Sequence, residues 1–319
     1  MKIIAVEEHF TTKEHLDARG SMDMGGGGSA GAGDVSTYTD GLLEVGEGRL
    51  KIMDEAGINM QVLSLTIPGV QMLDVATGVA LARKTNDKLS EIIGKYPERF
   101  AGLATVPPQA PDEAAKELER AVLKLGLKGA IINSHVKGEY LDDRKYWAIF
   151  QAAEKLDVPI YIHPQMPSPD LIKPYLAYPG LSAAFWGFGA EVGLHTARLI
   201  CSGVFDEYPR LKIIIGHMGE ALPYWLWRMD NFWRRGPLAK LKKPSICMQE
   251  NISITTSGMF WPPALMCAYL ALGADRILFA VDHPYESSKE AVQFINSVPI
   301  CDSDKEKICH LNAEKLLRL

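Results

Sequence analysis

The sequence has little of several features that would assign a protein to a class at once. Lysine and arginine number 34 against 39 acidic residues, and the net charge of −5 offers no basic surface for nucleic acid. No apolar run reaches the length of a membrane span, and the N-terminus lacks the basic-then-apolar pattern of a secretory signal. These absences predict a cytoplasmic protein whose partners are neither nucleic acids nor membranes.

Cysteine is also scarce. The chain has five cysteines, an odd number, and no C-x-x-C spacing joins any two of them: Cys201, Cys247, Cys267, Cys301 and Cys309. This pattern is typical of reduced thiols rather than of a disulfide framework or a zinc ribbon. We therefore interpret all five as packing residues.

What the chain does have is an alternation of short apolar segments with helical ones. Eight segments read as strands covered on both faces: Ile3–Val6, Met60–Leu65, Ala101–Val106, Gly129–Ile132, Val158–Ile162, Lys212–Ile215, Asn251–Thr255 and Arg276–Val281. Eight segments read as helices: Gly48–Ala56, Ala76–Lys95, Pro111–Lys124, Arg144–Leu156, His195–Phe205, Glu220–Arg234, Pro262–Leu272 and Lys289–Asn296. This order predicts a closed (β/α)8 barrel, of the TIM type, as one domain over residues 1–319. A doubly wound open sheet is the alternative, and it is disfavoured because no G-x-G-x-x-G follows the first strand.

One segment is of low complexity. The glycine-rich patch Gly25–Gly33 falls in a predicted loop of about residues 20–47 that connects the first strand to the first helix. Loops that follow barrel strands build the active face, so the patch is either a mobile lid or a plain insertion, and both interpretations stay open.

Polar side chains follow several of the predicted strands. Glu7 and His9 come two residues apart after the first strand, His163 ends the fifth, His217 ends the sixth and Asp282 ends the eighth. Because the carboxyl ends of barrel strands meet at one mouth, we expect these side chains to lie close together. Two carboxylates with two or three imidazoles suit Zn²⁺ or a similar divalent ion.

The sequence around the other histidines gives less support for metal binding. His15, His195 and His310 lie in helical or polar segments, and we predict that none of them belongs to the metal site. His135 follows the fourth strand in Ile-Asn-Ser-His, so it either faces the pocket or fills a structural role.

The motifs around these positions resemble a known family. The matching stretches are Val6–Phe10, Leu63–Gln71, Pro97–Ala104, Leu156–Pro164, Gly203–Leu211, Gly216–Glu220, Trp227–Asp230, Ile254–Gly258 and Asp275–Phe279. Together they resemble the amidohydrolase-related decarboxylases, the group of the γ-resorcylate (2,6-dihydroxybenzoate) and 2,3-dihydroxybenzoate decarboxylases. The Glu-x-His start, which replaces the His-x-His of ordinary amidohydrolases, is the most specific of these motifs.

The resemblance implies roles for individual residues. One divalent ion, Zn²⁺ or Mn²⁺ with Mg²⁺ as a further choice, would be held by Glu7, His9, His163 and Asp282. Asp282 would also donate a proton to the substrate ring, and His9 would contact the substrate. His217 and Glu220 would form an acid–base pair that holds the hydroxyl side of the ring. Arg228 would bind the substrate carboxylate, either within its own chain or from across the subunit interface of a homo-oligomer, a dimer or a tetramer.

The same resemblance implies non-oxidative, reversible decarboxylation of a hydroxybenzoate. A carboxylate that serves as the acid would need a raised pKa. The aromatic segment Phe185–Phe188 suits a flat anionic ring, although a core cluster would explain it as well. A metal-dependent hydrolase of a lactone, ester or amide is the alternative, and a non-catalytic barrel is a third reading. Gln165 and His283 depart from the family pattern, and we expect them to shape the substrate pocket.

Overall fold

The computed structural model describes residues 1–19 and 35–319 of the chain. Its strands are β1 Ile4–Phe10, β2 Met60–Leu65, β3 Phe100–Gly102, β4 Ala104–Thr105, β5 Ala130–Asn133, β6 Pro159–His163, β7 Lys212–Ile215, β8 Ile252–Thr255 and β9 Ile277–Leu278. Every ladder between them is parallel. β3 and β4 are two parts of one barrel strand, because Leu103 between them continues the pairing with β2 through its N–H to Leu63 O at 2.9 Å.

The first and last strands close the barrel. Val6 N donates to Phe279 O at 3.1 Å, Asp282 N to Glu7 O at 2.9 Å and His9 N to His283 O at 2.7 Å. The chain that follows β9 therefore runs beside β1, and eight strands form a ring. The predicted (β/α)8 barrel is confirmed, and the doubly wound alternative is wrong, because an open sheet would leave β1 unpaired on one side.

The helices surround this barrel. They are α1 Lys13–Arg19, α2 Thr39–Leu43, α3 Glu47–Ala56, α4 Val75–Lys95, α5 Pro111–Leu125, α6 Trp147–Leu156, α7 Gly187–Ser202, α8 Val204–Glu207, α9 His217–Glu220, α10 Leu222–Trp233, α11 Pro244–Glu250, α12 Pro262–Leu272, α13 Ser288–Ser297, α14 Asp302–Glu306 and α15 Asn312–Leu317. All eight predicted helices are present within a few residues, except that α7 begins eight residues earlier than the predicted His195–Phe205. The prediction missed α1, α2, α9, α11, α14 and α15 and did not separate α8 from α7; these helices are too short to show a clear apolar period.

The ends of α5 illustrate how local sequence sets these boundaries. Pro111 occupies the first turn, where its missing N–H costs nothing, and Asp112 with Glu113 faces the positive end of the helix dipole. Gly126 ends the helix at φ 74°, in the left-handed region that glycine adopts without strain. The predicted start at Pro111 is thereby confirmed.

The barrel interior holds its own apolar cluster. Ile4 and Val6 of β1 pack there with Val62, Ala101, Leu103, Ile131, Tyr161, Ile214, Leu278 and Ala280. Strict alternation along β1 would place Glu7 and His9 on the opposite face from Ile4 and Val6. The register of β1 against β2 shifts between Ala5 and Glu8, however, and this irregularity turns Glu7 and His9 toward the mouth of the barrel.

Three predictions about the rest of the chain have different outcomes. The five cysteines are free, but Cys201 and Cys301 are exposed, so the interpretation of all five as packing residues is wrong for these two. The glycine-rich patch Gly25–Gly33 lies outside the described residues, and its role stays a prediction. Across the described ranges, no helix combines the length and apolar character needed to cross a membrane.

Candidate metal centre and substrate cavity

Four side chains predicted as metal ligands meet at the mouth of the barrel. Glu7 and His9 extend from β1, His163 from the end of β6 and Asp282 from the segment after β9, and one ligand atom of each lies within 4.8 Å of the others. Glu7 Oε1 is buried and has no hydrogen-bond partner among the described residues, and the buried His9 Nε2 and Asp282 Oδ1 face each other at 3.1 Å. Buried lone pairs without donors are costly unless a cation compensates them. The arrangement therefore fits a divalent ion with mixed oxygen and nitrogen ligands.

The other oxygen of Glu7 is fixed by three hydroxyls. Glu7 Oε2 accepts hydrogen bonds from Tyr161, Ser257 and, at 2.9 Å, Thr255 Oγ1. These contacts hold Oε1 toward the cluster, 3.4 Å from His163 Nε2. Burial raises the pKa of Glu7 above its ordinary value, although His217 opposes the shift. A bound cation would relieve that cost of burial.

Side chains on the Nδ1 side of each imidazole ring, away from the ligand cluster, orient the rings of His163 and His9. His163 Nδ1 lies 2.9 Å from Asn133 Oδ1, its register partner on β5. An amide oxygen only accepts, so Nδ1 carries the hydrogen and the Nε2 lone pair faces the cluster. His9 is held in the same way, with Nδ1 at 3.3 Å from Ser64 Oγ. Burial, followed by the charge of His9, lowers the pKa of His163 well below its usual range, which keeps the ring neutral as a ligand must be.

His217 and Glu220 form the predicted pair. Positive φ angles run from His217 (50°) to Ala221 (61°), so α9 is a tight left-handed turn rather than a regular helix. This turn folds the Glu220 carboxylate back onto His217 Nδ1 at 2.8 Å, while His217 Nε2 lies 3.8 Å from Glu7 Oε1 and 3.7 Å from Asp282 Oδ2. Burial lowers the pKa of His217, but the negative charges of Glu220 and Glu7 outweigh it and raise the pKa well above its usual range. His217 thus lies between the Glu220 carboxylate and the ligand cluster and lines the cavity.

The pKa of Asp282 shifts in the opposite direction from the one expected. Burial raises the pKa of Asp282, but its hydrogen bonds with His217 and His9 are stronger in effect and hold that pKa below its ordinary value. The predicted raised pKa is therefore wrong for the protein without a ligand. The sequence could not reveal this, because the two imidazoles come from other strands.

His163, Asp282, His217 and Glu220 line one side of a cavity of about 710 Å³, and Glu7 and His9 lie buried behind them. Its walls are mainly apolar and aromatic, and they include Tyr38, Ile67, Phe185, Trp186, Phe188, Leu194, Trp225, Met259 and Tyr285. Glu286 is the further acidic group in the lining, and no lysine or arginine of the described residues takes part. The segment Phe185–Phe188, for which a flat ring or a core cluster was left open, thus lies at the cavity, and Phe185 is 82% exposed.

Arg228 does not reach this cavity within the chain. It is exposed on α10, with its guanidinium 4.9 Å from the ring centre of Phe232. Tyr224, Trp227 and Phe232 on the same helix are also more than half exposed, so an internal helix face does not explain these aromatics. A contact between Arg228 and substrate through a second copy stays a prediction, as does the oligomer.

The remaining positions singled out from the sequence lie away from the cavity. Gln165 Nε2 donates to His135 O at 2.6 Å, and His135 Nε2 lies 3.1 Å from Met166 O. Neither these residues nor His283 is among the described residues that line the cavity, although Gln165 and His283 follow the lining residues Pro164 and Asp282. Their effect on the shape of the substrate pocket stays a prediction. His15, buried between Thr11 and Gly69 O, and His310, beside Glu314, are also outside the metal site, as is His195.

Sequence reasoning missed the residues that orient the ligands. Asn133, Tyr161, Ser64, Thr255 and Ser257 all contact Glu7, His9 or His163. The sequence context of two of them could have indicated this role. Tyr161 stands two residues before His163 on the same strand face, and Asn133 directly follows the predicted strand Gly129–Ile132. The hydroxyls that hold Glu7 had none, because serine and threonine are common at strand ends.

Comparison with known proteins agrees with this geometry. Residues 39–319 match the model of the amidohydrolase family. A γ-resorcylate decarboxylase of Polaromonas is 40% identical over 99% of this chain and 98% of its own length. A crystal structure of a 2,6-dihydroxybenzoate decarboxylase in complex with 2,6-dihydroxybenzoate matches with a TM-score of 0.91 at 39% identity, over the whole of both chains. A 5-carboxyvanillate decarboxylase of Novosphingobium aromaticivorans, crystallised with manganese and a nitrobenzoic acid, matches with a TM-score of 0.93 at 38% identity, over 100% of this chain and 97% of its own.

Proposed function

The chain belongs to the amidohydrolase family, and from that premise we propose that it is a metal-dependent carboxy-lyase that removes CO₂ from an ortho-hydroxylated benzoate. The family resemblance drawn from the sequence motifs is confirmed. One observation carries the proposal: two residues of the four-ligand cluster, His163 and Asp282, line an aromatic-walled cavity together with the His217–Glu220 pair. The relatives described above are decarboxylases, so the hydrolase alternative has no comparable support.

The charge of the cavity supports a ring with a single carboxylate. A divalent ion at Glu7, His9, His163 and Asp282 would bind that carboxylate together with the neighbouring phenolic oxygen. A second carboxylate on the ring would find no lysine or arginine among the lining residues described, and Glu286 would repel it. The segment outside the described residues, 20–34, contains no lysine or arginine either. We therefore favour a 2,6- or 2,3-dihydroxybenzoate over a dicarboxylate such as 5-carboxyvanillate.

The chain's own residues divide the reaction between them. A bound metal ion would act as a Lewis acid and a template for the ortho-hydroxy acid. His217, held by Glu220, donates a hydrogen bond to a ring hydroxyl and so keeps the ring plane fixed. Asp282 transfers a proton to the ring carbon that bears the carboxylate. The bond from this carbon to the carboxylate then breaks, its electron pair restores the aromatic ring, and CO₂ leaves. Hydrogen bonds with His217 and His9 hold the pKa of Asp282 below its ordinary value despite burial, and the negative charge of the bound acid would raise it again.

Arg228 enters this proposal only through a second copy of the chain. Its exposed guanidinium and the aromatic face of α10 would have to meet the cavity of a partner subunit. A homodimer or homotetramer would supply that contact, and Arg228 would then face the single carboxylate of the bound acid.

The test of the function is CO₂ release from a panel of acids by the metal-loaded protein. We expect turnover of 2,6-dihydroxy- or 2,3-dihydroxybenzoate, slower turnover of 2-hydroxybenzoate and none of 5-carboxyvanillate. Incorporation of labelled bicarbonate into the product phenol would show the reverse reaction. Absence of CO₂ from every acid, together with hydrolysis of esters or lactones, would overturn the proposal in favour of a hydrolase.

Asn133 provides a test of the ligand set. Replacement of Asn133 by Ala removes the acceptor for His163 Nδ1–H, so we expect metal affinity about 10-fold to 100-fold weaker. Competition with a chromogenic chelator measures this affinity directly. Asn296→Ala, in the last turn of α13, is the control and should leave the affinity unchanged. Equal affinities in the two variants would show that His163 does not ligate through Nε2.

A further inference from the structure

A second cluster of buried polar groups lies outside the metal centre, around α7. Glu191 and His195 of this helix are at most 2% exposed, and Ser134, in the loop after β5, is fully buried. Ser134 Oγ lies 3.0 Å from Glu191 Oε1 and 3.1 Å from His195 Nδ1. The proposed chemistry uses none of these groups, so their presence calls for another explanation.

The hydrogen bonds of this cluster have a defined direction. Leu141 N donates to His195 Nε2 at 3.1 Å, which places the ring hydrogen on Nδ1. His195 Nδ1–H then donates to Ser134 Oγ, and the hydroxyl of Ser134 donates to Glu191 Oε1. Glu191 Oε2 accepts from Tyr140 OH at 3.1 Å and from Ser168 N at 3.2 Å. Burial lowers the pKa of His195 to about 3, in keeping with a neutral ring.

The network ties α7 to two loops of the barrel mouth. Tyr140 and Leu141 belong to the loop after β5, and Ser168 to the loop after β6. Every polar atom described in the chain Leu141–His195–Ser134–Glu191 has its partner. A fully satisfied buried network is rigid, because breaking one bond leaves an unpaired buried group. The position of α7 relative to the barrel is therefore fixed.

The opposite face of α7 lies against the acid–base pair. Gly189 and Gly193 precede Glu191 and His195 by two positions each, which places them about 200° around the helix. A Cβ on Gly189 would lie 2.9 Å from Glu220 Oε2, and one on Gly193 would lie 3.3 Å from Glu220 O. The helix backbone thus sits directly on Glu220, whose Oε1 holds His217 Nδ1.

We propose that the Ser134–Glu191–His195 network is a positioning device that presses the glycine face of α7 against Glu220 and thereby sets the orientation of His217 toward the substrate. The proposal rests on the function proposed above for the role of His217. None of the three network residues touches substrate. Gly189 is a positioning residue as well, since any larger side chain would displace the Glu220 carboxylate.

Two variants test the proposal from the two faces of the helix. Gly189→Ala adds a methyl group that only the flexible end of Glu220 opposes, so the fold tolerates it. Glu191→Gln keeps the volume but replaces one acceptor oxygen with an NH₂ group, so either the Ser134 hydroxyl or the Tyr140 OH and Ser168 N lose their acceptor. We expect kcat to fall about 10-fold to 100-fold in each variant, since a misplacement of about 1 Å can cost ~10²-fold. Bound metal should remain close to that of the parent protein in both variants, and KM should do so in Glu191→Gln, whose side chain does not line the cavity.

A double-mutant cycle separates positioning from general destabilisation. In a Glu220→Ala background the obstructing carboxylate is gone, so Gly189→Ala should change kcat by no more than about twofold. Gly94→Ala is the matched control, because a Cβ there meets nothing within 4 Å. An equal loss from Gly189→Ala with and without Glu220 would overturn the proposal.

A spectroscopic measurement tests the effect of the network on His217 without any substrate. In protein labelled with ¹⁵N-histidine, His217→Gln identifies the ring signals of His217. Gly189→Ala and Glu191→Gln should both shift these signals, and Gly94→Ala should not. Unchanged His217 signals in Gly189→Ala would refute the positioning role. Wild-type protein that releases no CO₂ from any acid would instead refute the proposed function, and the spectra would still test the network.

Discussion

Replacement of Asp282 by Asn is expected to abolish turnover while the metal ion stays bound. Asparagine keeps an oxygen at the ligand position, and Glu7, His9 and His163 are unchanged. It has no acidic proton to give to the ring carbon, so kcat should fall by at least about 10³-fold, within the range of general acid catalysis. Single-turnover CO₂ release and metal analysis of the same preparation measure the two effects together.

The control for this variant is Asp87→Asn. Asp87 is an exposed partner of Arg120 at 2.6 Å on the outer helices, and its replacement should leave both turnover and metal content unchanged. If Asp282→Asn keeps its metal and turns over within tenfold of the parent protein, another group supplies the proton. If it loses the metal, the defect would lie in the ligand set rather than in the acid.

Removal of the metal is expected to abolish activity and to lower stability. An ion that binds only the folded state raises the free energy of unfolding by about 2.7 kcal/mol when its free concentration is 100 times its Kd. Chelation should therefore eliminate CO₂ release and lower the melting temperature, and added Mn²⁺ or Zn²⁺ should restore both. Thermal unfolding with and without metal measures this increment without any substrate.

His163→Ala should remove most of that increment. The variant lacks a neutral imidazole whose Nε2 lies among the converging ligand atoms. His310→Gln is the matched control, because His310 lies beside Glu314 outside the cluster. A metal-dependent increase in stability that survives in His163→Ala would exclude this histidine as a ligand.

Local sequence determined much of the fold and of the ligand set. Continuous apolar strands such as Lys212–Ile215, with amphipathic helices such as Pro111–Leu125 between them, can bury both sheet faces only in a parallel α/β arrangement. The polar residues that interrupt these strands at one end could then be placed at one mouth, because parallel strands share their carboxyl ends. The strand ends predicted that Glu7, His9, His163, His217 and Asp282 lie close together. The family resemblance implied that all of these except His217 are the ligands, and those four lie together.

Other features depended on contacts between distant segments. The direction of the Asp282 pKa shift comes from His217 and His9, which lie on other strands, and the fixed oxygen of Glu7 comes from hydroxyls more than 150 residues away. The exposure of Arg228 depends on how α10 packs against its neighbours. The buried network of His195 could not be predicted from the sequence, because its partners, Ser134 and the Leu141 N–H, precede it by more than 50 residues.

Sequence alone therefore determined the barrel, the edge at which the site lies and the kinds of ligand atoms there. Each of these follows from the apolar pattern within single strands and helices and from the order of these elements along the chain. Tertiary structure alone decided the register irregularity in β1, the left-handed turn at His217 and the packing of the glycine face of α7 against Glu220. Hydrogen bonding and desolvation act between atoms a few ångströms apart, and only the closed barrel brings those atoms together.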